Sequence, residues 1–224
     1  MVTNTWYDYS SNSIFAGFTT RHFPFNRSND RIEFAKLLGL NYKNLVVPKQ
    51  VHSGNVEICE SHGELPNIDG VITSNKDLVL TIQVSDCIPI FIFDNKTLNI
   101  GLIHAGWRGI NSQIVENGIT KIQELNSMPN ELNIILGPSI RQCCFQVGSD
   151  IAKLFPQKFQ SVRNHDSMYL NLQEVVIEKL INLGVPRQNI TDKNQCTCCS
   201  DDFYSYRRAG EKAGRMIALI AIKK

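Results

Sequence analysis

The chain has little of what marks most specialised proteins. Its 224 residues contain no apolar run near the roughly 18–20 residues that span a bilayer. The most apolar end, "MIALIAIKK", is far shorter and reads as a core strand. "MVTNTWYDYS" has neither the basic segment nor the apolar run of a secretion signal, so a cytoplasmic location is expected. Charge is nearly balanced, 23 Lys and Arg against 21 Asp and Glu. Without a basic patch or basic helix, neither a nucleic acid nor a membrane is expected as a partner. The phosphate-binding patterns GxGxxG and GxxxxGK[ST] are absent, which removes dinucleotide-type loops from consideration. No repeat, low-complexity tract or Pro/Ser-rich linker divides the chain, so residues 1–224 read as one domain with a substantial core. Seven cysteines, an odd number and without a secretion signal, argue against a disulfide framework.

What is present is a strand-rich first half. The runs at 14–20, 45–51, 55–60, 70–74, 78–86, 88–94 and 98–106 are rich in Val, Ile, Phe and Thr. Asp94-Asn95-Lys96-Thr97 has turn chemistry and predicts a hairpin. Ile88–Phe93 is apolar on both faces, so its sheet is expected to be covered on both sides. Helices are predicted in three places. "SNDRIEFAKLLGL" has Ser28 or Asn29 as cap and Gly39 as stop. "RGINSQIVENGITKIQEL" carries Ile110, Ile114, Ile122 and Leu125 on one stripe. "NLQEVVIEKLINLGVP" has Asn171 and Glu174 as a capping pair and Gly184 as its end. The expected fold class is α/β (α+β), with mixed rather than doubly wound parallel sheets.

Three residues with metal-ligand chemistry sit where the pattern wants apolar ones: His52 after "LVVPKQV", Cys87 in "VSDCIPI" and His104 in "NIGLIHAG". Imidazole and thiolate suit zinc, and two His with one Cys leave a fourth position open. The spacings, 35 and 17 residues, are not those of a local metal finger, so convergence would have to come from neighbouring strand ends. The same atoms allow a second reading, Cys87 as nucleophile with His52 or His104 as base and Asp86 as orienter. Arg21, Arg108, Arg207 and Arg208 follow strand ends or turns, where guanidinium groups suit phosphate or carboxylate. Trp107 is read mainly as a packing residue, with stacking on a planar ligand as the alternative. Cys143-Cys144 and "CTCC" (196–199) invite a structural zinc site, but adjacent cysteines and a single C-x-x-C are a poor match to metal-finger spacing.

Taken together, "GFTTR" (17–21), "KQVHSGNV" (49–56), "SDCIPIFIFD" (85–94), "HAGWRGI" (104–110), "LGPSIRQCCFQVG" (136–148), "CTCCSDDFYSYRR" (196–208) and "AGRM" (213–216) resemble the YfiH/YlmD family in order and context. That family has been called polyphenol oxidase or multicopper laccase and is now regarded as purine nucleoside phosphorylases. The resemblance runs from about Ile14 to Ile222. It implies an α/β domain of two packed mixed sheets with helices outside, and a metal site, usually zinc, at His52, Cys87 and His104. It also implies phosphorolysis of adenosine, inosine, guanosine and methylthioadenosine, with adenosine deamination as a second activity.

By the same resemblance Arg21 would contact phosphate or ligand, with Arg108 and Arg207 as further candidates. Where family members usually follow "TR" with a Gly-Gly loop, this chain has "HFPFNRSND". Deamination suits a three-ligand zinc, which brings the pKa of bound water toward about 7. Asp86, next to a ligand, is the expected proton carrier, with Asp69 second. The expected small molecules are purine nucleosides and phosphate, and the expected assembly is a monomer or weak homo-oligomer. The rival readings are copper-dependent phenol oxidation, a Cys/His hydrolase and a non-enzymatic metal-binding protein. Copper would bind such ligands at least as tightly as zinc. Five histidines in all are too few for a multicopper oxidase.

Overall fold

A computed structural model describes residues 5–24, 30–163 and 167–223. The strands are β1 (Trp6–Asp8), β2 (Ile14–Thr19), β3 (Leu45–Lys49), β4 (Val56–Ile58), β5 (Gly63–Pro66), β6 (Gly70–Thr73), β7 (Val79–Val84), β8 (Ile88–Asp94), β9 (Ile100–Ala105), β10 (Leu132–Leu136), β11 (Gln146–Val147), β12 (Gln160–Arg163), β13 (Ser167–Leu170), β14 (Ile190–Asp192) and β15 (Met216–Ile222). The helices are α1 (Asp30–Leu37), α2 (Trp107–Asn111), α3 (Ile114–Glu124), α4 (Ser149–Ala152), α5 (Leu172–Asn182) and α6 (Tyr206–Ala209). One six-stranded sheet has the order β1-β2-β15-β7-β3-β5, a second β14-β10-β8-β9-β6-β4, and a small third sheet β11-β13-β12. Both large sheets are mixed: β3 is parallel to β5 and β7, β4 to β6, and β10 to β14, and the other pairings are antiparallel.

Side-chain alternation explains the layering. In β8, Ile88, Ile90 and Ile92 face one way and pack with Ile114, Ile119 and Ile122 of α3 and Val176 of α5. Phe91 and Phe93 face the other way and meet Phe18, Leu80, Ile82, Ala218 and Ile220 of the first sheet. On the outer face of that sheet, Ile217, Leu219 and Ala221 pack with Phe34 and Ala35 of α1. The order is therefore α1, first sheet, second sheet, then α3 and α5, with apolar burial on each sheet face as the main favourable term. This is the predicted fold class. Among the described residues no helix is long and apolar enough to cross a membrane.

All seven predicted strand runs contain a strand, and the Asp94–Thr97 turn joins β8 to β9 as a hairpin. The Asn171 side chain accepts from the Glu174 N–H at 3.2 Å, as the capping pair requires. The proposed caps Ser28 and Asn29 lie outside the described residues. The predicted helix after Trp107 is corrected to two helices, because the chain breaks at Ser112-Gln113, where Gln113 takes φ 64°. The loop after β3 fills that break. A side chain at Gly54 would sit 1.9 Å from the Ser112 carbonyl oxygen, and Asn117 Nδ2 donates to the Gly54 carbonyl at 2.8 Å.

Candidate metal centre and basic cavity

His104 stands one residue before the end of β9, on the same face as Ile100 and Leu102, so its ring points into the seam between the sheets. Cys87 lies in the turn from β7 to β8, close to His104 because Pro89 of β8 pairs with His104 across the hairpin. His52 arrives from elsewhere. It follows β3, the parallel neighbour of β7 in the first sheet, while β8 and β9 are neighbours in the second. The three therefore come from neighbouring strand ends, with Cys87 as the link between the sheets. The three ligand atoms lie within 4.8 Å of one another, and the two imidazole rings meet edge to face with centroids 4.8 Å apart. The edges of a tetrahedral His₂Cys zinc site are roughly 3.3–3.7 Å from ordinary bond lengths, so the donor set needs only a small contraction. Gly106 makes the approach possible: a Cβ there would lie 2.8 Å from Cys87 Sγ and 3.3 Å from His52 Cδ2.

Asp69, fully buried, organises two of the three ligands. Its carboxylate accepts from the N–H groups of Val51 (3.1 Å), His52 (2.9 Å) and Ser53 (2.7 Å) and from the Ser53 hydroxyl (2.8 Å). These bonds hold His52 at φ 62°, a left-handed conformation uncommon for a non-glycine residue. The same carboxylate bonds His104 Nδ1 at 2.8 Å, leaving Nε2 as the ligating nitrogen. Burial works to raise the Asp69 pKa, but the bonds from His104 and Ser53 outweigh it and hold the carboxyl down at about 2. Burial likewise opposes ionisation of Cys87, yet the charge and hydrogen bond of His104, with a bond from His52, draw the thiol down to about 6. A thiolate with two imidazoles is what a divalent zinc or copper ion takes, so the residues fit the implied metal.

Asp86 and Arg21, expected at the site, stand outside the cavity wall. Asp86 is buried, and its carboxylate accepts from Thr197 Oγ1 (2.6 Å), Ser205 Oγ (3.1 Å) and the Arg207 N–H (2.7 Å). With its oxygens engaged and its backbone at φ 82°, it braces the turn that presents Cys87 and does not line the cavity. Arg21 is exposed and also does not line the cavity; its backbone N–H donates to the Asp202 carbonyl at 2.9 Å.

The ligands open into a cavity of about 770 Å³. Five cationic side chains stand on its wall: Arg31, Lys49, Arg108, Arg207 and Arg215. Arg108 is exposed and its guanidinium stacks 4.4 Å above the Trp107 ring, so Trp107 packs on one side and supports Arg108 on the other. Arg207 has its fork committed, donating to the carbonyls of Cys144 (3.0 Å) and Gln146 (2.8 Å). Arg31 and Arg215 were given no site role by the sequence: Arg31 reads as part of the helix in "SNDRIEFAKLLGL", and Arg215 appears only within "AGRM". The buried Nε of Arg31 and the Ser85 hydroxyl have no hydrogen-bond partner among the described residues, and both residues line the cavity. Burial lowers the Arg31 pKa to about 10, with Asp30 and Glu64 pulling it back up, so it stays cationic near neutral pH. Glu64, paired with Lys49 at 2.7 Å, is the only carboxylate on the wall among the described residues.

Comparison with known proteins places this geometry. Residues 10–223 match the family model described as multi-copper polyphenol oxidoreductase laccase. A purine nucleoside phosphorylase of Clostridium acetobutylicum is 30% identical over 191 residues, covering 82% of this chain and 79% of the relative. An adenosine deaminase from an unknown prokaryotic organism is 29% identical over 203 residues, covering 83% and 78%. The crystal structure of YfiH from Bacillus licheniformis superposes with a TM-score of 0.85 at 25% identity, covering 94% of this chain and 93% of that one. YlmD from Geobacillus stearothermophilus superposes with a TM-score of 0.90 at 24% identity, over 100% and 98%.

Proposed function

Since the chain belongs to the YfiH family, whose model is described as multi-copper polyphenol oxidoreductase laccase, we propose from its site that it is a zinc-dependent purine nucleoside phosphorylase. The observation that carries this reading is the shared wall: five cationic side chains surround a cavity that also holds the His52, Cys87 and His104 donors. Phosphorolysis forms a bond from a phosphate oxygen to C1′ of the ribose and breaks the bond from C1′ to the purine nitrogen. The electron pair leaves with the base, which takes up a proton. His52, Cys87 and His104 would hold zinc, which when bound would supply Lewis acidity.

The chain's own residues do the rest. Arg108, Arg215, Arg31 and Lys49 concentrate and orient the phosphate anion. Arg207, tied to the Cys144 and Gln146 carbonyls, adds positive field without moving. Trp107, Phe145 and Tyr206 offer flat apolar surface to a purine. Adenosine, inosine, guanosine and methylthioadenosine are the proposed substrates, with adenosine deamination at the same cavity as a side activity. Asp69 keeps His104 in one tautomer but is too fully engaged to shuttle protons.

The family description would suggest a copper oxidase, but the donors do not build one. Among the described residues only His52 and His104 converge, while His22 lies 3.4 Å from Asp202 and His62 is exposed. Purified zinc-loaded protein incubated with inosine should release hypoxanthine only when phosphate is added. Absence of base release from every purine nucleoside tested would sink the proposal.

A further inference from the structure

A second cluster of metal-ligating side chains lies outside the cavity's ligand set. The thiols of Cys143, Cys144, Cys196 and Cys199 bring their four sulfurs within 4.8 Å of one another. Cys199 Sγ is 3.4 Å from Cys143 Sγ and 3.2 Å from Cys144 Sγ. We propose that these four cysteines form a closed tetrahedral zinc site that fastens the loop after β10 to the loop after β14.

Three observations carry this. The first is size. Zinc–sulfur bonds of about 2.3 Å give a tetrahedral edge of roughly 3.8 Å, inside the observed spread, whereas the outer thiolates of an iron–sulfur cluster must stand farther apart.

The second is local geometry, which removes the objection to adjacent ligands. Neighbouring side chains oppose each other in a strand, but Cys143 and Cys144 lie in a tight turn closed by the Cys144 and Phe145 N–H groups on the Arg141 carbonyl, both at 2.9 Å. Their two sulfurs therefore reach the same partner. Cys196 and Cys199 lie in a second turn, closed by the Ser200 N–H on the Cys196 carbonyl at 3.1 Å, which puts residues three apart on one side.

The third is the surroundings. Arginines close round the cluster. Arg207 donates to the Cys144 carbonyl (3.0 Å), and Arg208 to the carbonyls of Thr197 (3.0 Å), Cys198 (2.9 Å) and Ser200 (3.0 Å). Arg141 forms a two-point bridge to Asp192 with both bonds at 2.7 Å. Zinc with four thiolates carries a net charge of minus two, and the guanidinium groups of Arg207 and Arg208 offset it, Arg141 being already balanced by Asp192. Binding exchanges the thiol protons for the metal, with no oxidant or reductant required.

The site would act at a distance on the cavity. Thr197 lies between two of the proposed ligands and holds Asp86, and the backbone N–H of Arg207 holds the same carboxylate. Clamping the two turns therefore steadies the brace behind Cys87.

Metal content tests the proposal separately from any enzyme activity. Protein made with added zinc and purified under reducing conditions should hold two zinc ions per chain, and Cys87→Ala should hold one. The double variant Cys196→Ser/Cys199→Ser should also hold one. Because that double variant could lose its fold, the deciding measurement is made on Cys87→Ala reconstituted with Co²⁺. A four-thiolate site gives strong sulfur-to-cobalt charge-transfer bands and tetrahedral d–d bands in that variant. Metal-free Cys87→Ala with no cobalt spectrum would overturn the proposal. So would a thiol titration of the denatured, unreduced wild type that finds five of the seven cysteines, which would show a disulfide in place of the metal.

Discussion

Replacing Asp69 by Asn tests how the metal centre is held. The substitution keeps size and shape but turns one carboxylate oxygen into an N–H₂ donor. Oδ1 accepts from His52 N and His104 Nδ1, and Oδ2 accepts from Val51 N, Ser53 N and the Ser53 hydroxyl. If the amide nitrogen takes the Oδ2 position, two backbone N–H groups lose their acceptor; the Ser53 hydroxyl can rotate, but the backbone cannot. Hydrogen bonds to a charged acceptor contribute about 1.5–3 kcal/mol each, so the cost is about 3–6 kcal/mol, a large part of a typical stability of about 5–15 kcal/mol. If the nitrogen takes the Oδ1 position, His52 N is orphaned and His104 must change tautomer, which removes its ligating nitrogen. In either orientation the His52 loop or the His104 ring loses its support. At about 2–4 °C per kcal/mol for a chain of this size, Tm should fall by at least about 6 °C in the first orientation and at least about 3 °C in the second. Zinc affinity, measured by competition with a chromogenic chelator, should fall about 10–100-fold, the usual effect of losing a group that orients metal ligands. A variant melting within 2 °C of wild type and binding zinc equally well would refute the assignment of Asp69 as the organising group.

Three further outcomes follow from other parts of the structure. Arg108→Ala removes one unpaired cation from the cavity wall, so the KM for phosphate should rise about 10-fold or more, equivalent to about 1.5 kcal/mol or more, with little change in Tm; an unchanged phosphate KM would remove Arg108 from the anion site. Gly106→Ala places a methyl 2.8 Å from Cys87 Sγ, so zinc affinity should drop about tenfold or more while the fold persists, as read by elemental analysis beside circular dichroism. Asp94 is buried in the hairpin turn; burial raises its pKa, but bonds from Lys96 N–H, Ser127 and Thr97 bring it below the usual value. A folded pKa below the unfolded one means that its stabilisation is complete above about pH 4 and is lost as pH falls through the folded value. Asp94→Ala should therefore cost about 1–3 kcal/mol in urea unfolding at pH 7, and the gap to wild type should narrow at pH 3; a gap that stays constant or widens would contradict this reading.

The strands and the three converging donors, His52, Cys87 and His104, were legible in the sequence because each contrasts with its neighbours. His104 interrupts an apolar strand, and Cys87 separates two of them. The role of Asp69 was not legible. "NIDGVITS" shows an acid before a buried strand, but three backbone N–H groups from residues 51–53 converge on it only after β3 and β6 are placed. Asp86 looked catalytic because it adjoins Cys87 in the chain, yet its side chain turns to Thr197 and Ser205, more than a hundred residues away in sequence. The break between α2 and α3 was hidden because the apolar stripe continues through it, and only the packing of Gly54 on Ser112 shows why the chain must turn there. The four-cysteine cluster was disguised by spacing rules drawn from zinc fingers, in which C-x-x-C pairs supply the ligands; here one of the two turns contributes adjacent residues instead.

The two thiolate-bearing sites differ in how they are held, and the difference separates their roles. At the cavity both protruding loops are fixed without any metal. His52 and Asp86 each occupy a left-handed conformation that costs of order 1–3 kcal/mol, and each is over-determined by a buried carboxylate whose partners lie in other segments. A set of three donors held open by protein hydrogen bonds would leave a position for substrate and give the chain little to reorganise on taking up the proposed zinc. At the four-cysteine cluster Cys199 Sγ contacts the sulfurs of Cys143 and Cys144, and the four thiolates of the proposed site would leave an ion no position to spare. Closed ligation suits fastening, and open ligation suits chemistry. Thr197 and Arg207 connect the two, since the residues that close round the cluster also hold the carboxylate behind Cys87. Stiffness at the cluster would therefore be felt at the cavity as a fixed position for the thiolate, while the exposed Arg108, stacked on Trp107, can adjust to the anion.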